Sequence, residues 1–263
     1  MKKTLIALAV SVSAVVSGSA MAWTADGSGG TLAMGGTLTP PPRVTPWEVQ
    51  VGTSVSNLDA NFTAGNATVT IPVKTTIPVL GIRTKTDTPF RGHGSAGGNR
   101  PVINYNNAVA VDNFNAGYTT LTLEVTDTAG QRIGVLTSRF GAAAGRAWAG
   151  NSGVLSPMFA SHDGFAFWGG IGKTANSVAA NPRTLAELLF PGVTDNFNLM
   201  NGRENWLNPE QENFYDPAKR FSGFYGAGIG AGENITLTLD NAPAAGNTSI
   251  VWKASMPIVV TYK

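Results

Sequence analysis

The 263 residues carry 18 Lys and Arg against 16 Asp and Glu, for a formal charge of +2, with charged residues at only 13% and no cysteine. That balance leaves no basic excess to neutralise phosphates, which argues against nucleic acid as a partner. The missing thiols exclude a disulfide scaffold and cysteine-ligated zinc.

The chain opens with Lys2 and Lys3, an apolar run from Leu5 to about Val16, and Ala20-Met21-Ala22. A basic start, a short apolar stretch and a small-x-small site predict a secretory signal over residues 1–22, too short to remain as a membrane helix. Cleavage leaves Trp23 as the first residue of an exported protein whose remaining charges balance.

Residues 23–42 form a predicted arm. Leu32, Met34, Gly36 and Leu38 share one face of an extended strand, and Thr31, Ala33, Gly35, Thr37 and Thr39 the other. Pro40-Pro41-Pro42, with Pro46 close behind, predicts a stiff extended spacer before the body. An apolar-edged strand beyond such a spacer suits insertion into another chain's groove. The other reading is an ordinary first strand on its own sheet.

From residue 43 the chain reads as one β domain ending at 263. Period-2 alternation marks strands at Trp47-Val49-Val51, Val69-Ile71-Val73, Leu121-Leu123-Val125 and Ile235-Leu237-Leu239. Ile77 to Ile82, Val109 to Val111 and Ile133 to Leu136 are further candidates. The longest alternation is the last: Trp252, Ala254, Met256, Ile258, Val260 and Tyr262. Thirty-two glycines and the low charge fit short strands joined by turns.

Between about 141 and 230 alternation fades, which predicts a large loop and helix insertion. Asn181 caps a helix that starts at Pro182, buries Leu185, Leu188 and Leu189 on one face, and stops before Pro191. The interval is rich in aromatic rings. Sugar rings present apolar C–H faces on which aromatics stack, so Trp148, His162, Trp206 and Tyr215 are candidate glycan-binding residues. The other reading makes these rings staples of a large loop, with Phe165, Phe167 and Trp168 in the core.

Apparent catalytic motifs fail on their spacing, and neither catalytic nor metal-ligating residues nor a cofactor are predicted. Gly172-Lys173-Thr174 lacks the first glycine of a phosphate loop, since position 167 is Phe167. Ser161-His162-Asp163 holds triad residue types, but three consecutive residues rarely converge into a linear hydrogen-bond chain. Glu210 and Glu212 make a glycosidase pair only if folding spaces them across a sugar cleft.

The two ends carry a resemblance. The start Met1-Lys2-Lys3-Thr4-Leu5-Ile6, the block Met34-Gly35-Gly36-Thr37-Leu38-Thr39, Trp47-Glu48-Val49-Gln50-Val51-Gly52, Ala166-Phe167-Trp168-Gly169-Gly170-Ile171 and the closing Val260-Thr261-Tyr262 resemble the FaeG-type major fimbrial subunits of enterobacteria. The resemblance implies an all-β, incomplete immunoglobulin-like β-sandwich completed by donor-strand exchange with the next identical subunit. It implies a periplasmic chaperone holding the terminal strand (Met256, Ile258, Val260, Tyr262), an outer-membrane usher, and a place in a surface fimbrium. It also implies that the shaft subunit itself binds host glycans. A shaft-only subunit and an outer-membrane β-barrel are the alternatives, the barrel being disfavoured by the irregular interval and the proline-tethered arm.

Overall fold

The computed structural model describes residues 45–149, 153–200, 203–244, 246 and 249–263. The predicted signal over residues 1–22 and the predicted arm residues Leu32, Met34, Gly36 and Leu38 lie outside the described residues.

In chain order the body comprises β1 (Trp47–Val51), β2 (Thr68–Pro72), β3 (Ile77–Thr84), β4 (Phe90–Arg91), β5 (Pro101–Asn104), β6 (Tyr118–Thr126), β7 (Arg132–Ala149) and β8 (Gly153–Pro157). Then follow α1 (Pro182–Leu189), β9 (Arg220–Ile229), β10 (Asn234–Leu239), β11 (Lys253–Ala254) and β12 (Val259–Tyr262). The main path runs β1-β3-β9-β7-β10-β2 and every ladder in it is antiparallel. β6 also lies on β7, and β11 on β6. β12 and β5 form a separate two-stranded ladder.

The 18-residue β7 organises the domain. Up to Gly141 it pairs with β6 and β10; from Gly141 onward it pairs with β9 and then β8. Its side chains alternate between two cores, as strand geometry requires. Leu136, Phe140, Ala142 and Ala144 join the sandwich core, whereas Ala143 and Ala147 join a second cluster under α1. β9 repeats the pattern, with Phe221, Tyr225, Ala227 and Ile229 in the first core and Phe224 in the second.

α1 starts as its sequence predicts: Asn181 Oδ1 accepts from Thr184 N at 3.0 Å, and Pro182 takes the first helical position. Its buried face is Pro182, Leu185, Ala186 and Leu189; Leu188, predicted to lie with them, points to solvent at 54% exposure. The helix lies close to the sheet because glycine stands beneath it. A β-carbon at Gly141 would come within 2.6 Å of Leu189 Cδ1, and one at Gly81 within 2.6 Å of Phe190 Cδ1.

Several sequence expectations need adjustment. Strand structure runs into the interval 141–230 at both ends, as β7 and β9, and the irregular stretch begins only after β8. These strands do not alternate because both faces are covered, by sandwich core on one side and helix layer on the other. Val109 makes only an isolated bridge to Leu121, and Val111 to Asn113 form a 3-10 turn. The long final alternation is real in its burial, yet it divides into two short strands paired with different partners.

Candidate functional site

The terminal run is the most informative surface. Trp252, Ala254, Met256, Ile258, Val260 and Tyr262 are all half-buried and pack on the sandwich core, while every residue between them is exposed. β12 is held on one side by β5, and the ladder continues with Arg100 and Lys263 exchanging backbone hydrogen bonds of 3.2 and 3.0 Å. The far edge of β5 is occupied: Phe167 N donates to Pro101 O and Ile103 N to Trp168 O. Among the described residues, β12 itself has no second strand partner.

Among the described residues the β1 end of the main sheet is open as well. Among the described residues β1 pairs with β3 only. Trp47 is buried, but Val49 and Val51 are 40% and 52% exposed, and residues 53–63 carry no regular structure. The two ends meet at Tyr262, whose side chain hydrogen-bonds that of Thr45. Burial raises the Tyr262 hydroxyl pKa, and the Thr45 bond opposes the rise in part. An apolar stripe backed by a core and bordered by unpaired backbone is the surface an added strand needs.

The four ring residues singled out for sugar contact do not gather on one surface. Trp148 packs on the sandwich core, with Lys219 Nζ 4.2 Å from its ring centroid and the Arg146 guanidinium at 5.9 Å. Trp206 belongs to the helix-side cluster, stacked on Phe197 at 5.9 Å, with its Nε1 donating to Glu204. Tyr215 is 51% exposed and meets His93 edge-on. His162 is exposed, accepts from Gly164 N at 3.0 Å and leans on Phe165. Its neighbour Asp163 pairs with Lys263, so Ser161-His162-Asp163 forms no triad chain. The Lys263 ammonium, directly bonded to it, holds the Asp163 carboxyl below its usual range.

Phe167, Phe214 and Phe221 are fully buried with Trp47, Phe90 and Tyr225 in one aromatic cluster. Phe167 and Phe214 both adopt left-handed backbone, at φ 61° and 56°. Such strain persists only where packing over-determines it. Glu210 and Glu212 do not face each other across a cleft; they flank the buried Arg146. Burial lowers the Arg146 pKa, and the two carboxylates oppose the fall. This clamp escaped the sequence reading, although an arginine in the run Gly145-Arg146-Ala147 was its visible sign.

Among the described residues no group of three or more His, Cys, Asp or Glu side chains is placed to hold a metal, and no helix is long and apolar enough to cross a membrane. The class these observations define is an all-β sandwich with a helix insertion, whose terminal strand has one strand partner among the described residues. The family of fimbrial major and minor subunits matches residues 1–263, and the chain belongs to it. It is similar to two fimbrial proteins of Escherichia coli along the whole of both chains: K88 fimbrial protein AB, 29% identical over 290 aligned residues, and the F41 fimbrial protein, 27% identical over 291. K88 fimbrial protein AC of the same organism is 27% identical over 288 residues, again over both full lengths.

Proposed function

We propose that this subunit builds an adhesive surface fimbria by strand donation and that the assembled fibre binds host glycans. The observation that carries the assembly reading is strand β12, which has a single strand partner among the described residues and whose inward side chains remain half-exposed over the core. In the fibre, Leu32, Met34, Gly36 and Leu38 of one copy lie along the open edge of the next. Burial of three large side chains contributes roughly 1.5–3 kcal/mol each, and main-chain bonds about 0.5–1.5 kcal/mol apiece, less the ordering entropy. Before assembly a periplasmic chaperone covers the same edge through Met256, Ile258, Val260 and Tyr262, and an outer-membrane usher exchanges it for the incoming arm.

Deleting residues 24–39 tests the assembly. The expected product is a chaperone-bound subunit that forms no fibre; fibres of ordinary length from the truncated chain overturn the reading. The glycan part is supported by the large irregular region after β8, since long irregular stretches in compact domains are commonly functional. Many weak sites along one fibre add by multivalency. It is tested by binding of purified fibres to immobilised host glycans; no binding to any of them leaves a shaft-only subunit.

A further inference from the structure

On the outer face of the sheet, a groove of about 280 Å³ separates β1 from the turn that follows α1. Its walls are built and fixed. Phe190 lies across Gly81, where a side chain would collide with the ring. The turn at Gly192 is pinned from below by Glu187, whose carboxylate accepts from Gly192 N at 2.6 Å and from Thr194 Oγ1 at 2.8 Å. It is pinned from the side by Arg83, whose Nη1 donates to Gly192 O at 2.6 Å.

The lining divides by chemistry. Phe190, Pro191 and Val193 supply apolar surface. Glu48, Gln50 and Arg83 supply polar groups. Arg83 is shared between Glu48, at 2.5 Å, and Asp195, at 3.3 Å, so one guanidinium faces two carboxylates and the groove has no spare positive charge. Gln50 is exposed at the rim, and among the described residues its side-chain amide has no hydrogen-bond partner.

We infer that this groove is a binding site for one neutral pyranose ring. A hexose matches the division: its C–H face lies on Phe190, Pro191 and Val193, and its hydroxyls meet the Gln50 amide and the free oxygen of Glu48. The volume falls just under the roughly 300–1,000 Å³ of sites for drug-sized ligands, which fits one ring. The two carboxylates disfavour an anionic sugar. The inference rests on the glycan reading above and assigns it a place that Trp148 and Trp206, on opposite faces of the sheet, do not share.

The experiment titrates the full-length exported protein, as fibres, with methyl β-galactopyranoside, methyl β-glucopyranoside, methyl N-acetyl-β-glucosaminide and N-acetylneuraminic acid, following saturation transfer by NMR. The same titration is made for Gln50→Ala and Gln50→Trp, each checked for native circular dichroism. Expected are binding of a neutral glycoside, about tenfold weaker binding with Gln50→Ala, and none with Gln50→Trp, whose indole fills the groove. Equal binding by wild type and Gln50→Trp overturns the groove and leaves the glycan reading standing. Binding of N-acetylneuraminic acid in preference to the neutral sugars also overturns it. Binding of none of the four, together with no binding of fibres to host glycans, sinks the glycan reading itself.

Discussion

A β-carbon added at Gly226 would lie 2.6 Å from the carbonyl oxygen of Ala186. That oxygen also accepts the Phe190 amide at the end of α1, so it cannot turn aside without opening the helix end. Gly226→Ala is therefore expected to lift α1 from β9 and destabilise the domain by about 1–3 kcal/mol. Gly230→Ala is the control: its nearest neighbour is a flexible Glu233 carbon 3.9 Å away. Urea unfolding of the two variants measures the difference, and equal midpoints contradict the close-packed helix layer.

The clamp on Arg146 separates two carboxylates that look alike in sequence. The Glu212 side chain is 14% exposed and also accepts from the backbone N–H groups of Asn213 and Phe214, whereas the Glu210 side chain is 51% exposed. Neutralising Glu212 leaves the buried guanidinium with only the solvent-exposed Glu210 as its ion-pair partner, so Glu212→Gln should cost about 3 kcal/mol. Glu210→Gln should cost under about 1 kcal/mol, because that carboxylate stays solvated. Denaturant midpoints of the two single variants test the order.

Trp206 and Tyr215 should part company in the same kind of experiment. Trp206 stacks on Phe197 and meets Phe224 edge-on, so Trp206→Ala removes a half-buried indole and should lower stability by about 2–4 kcal/mol. Tyr215 is half-exposed, and Tyr215→Ala should stay within about 0.5 kcal/mol. A Trp206→Ala variant that melts with wild type would show that the indole is not part of the packing.

The domain should weaken in alkali. The Tyr225 hydroxyl donates to Gly170 O at 3.1 Å and accepts from the Tyr105 hydroxyl at 2.7 Å, both tyrosines being buried. Burial raises both pKa values, with the Tyr105 contact adding to the rise at Tyr225 and the mutual bond moderating that at Tyr105. In the unfolded chain a tyrosine releases its proton near pH 10. The unfolded state thus loses protons first, and the stabilising contribution, complete below pH about 10, falls as pH rises beyond it. Urea midpoints at pH 8 and pH 11 should drop more for wild type than for Tyr105→Phe, Tyr225→Phe.

Where one face of a strand meets solvent, its sequence announced it. β2, β6, β10 and the terminal run alternate because half of each strand is wet, and α1 announced itself through Asn181 and Pro182. The second half of β7 and all of β9 escaped because helix on one side and sandwich on the other replace alternation with Ala, Gly and Phe. Leu188 was misplaced for a related reason: α1 buries Ala186 against the glycine floor, and a small residue gives little signal of burial. The terminal edge was legible in six residues. The groove beside β1 was not, since Gln50, Arg83 and Pro191 meet only after folding.

The β5–β12 ladder sets Val102 opposite Thr261, so more than half of the chain lies between the partners of one short hairpin-less pairing. A contact of that span closes slowly, because the entropy of a long loop has to be overcome before any bond is gained. Until it closes, Ile103, Tyr105 and the core beside them stay wet and adhesive towards other unfolded copies. The timing of this one pairing therefore governs how long a newly made molecule is prone to aggregate.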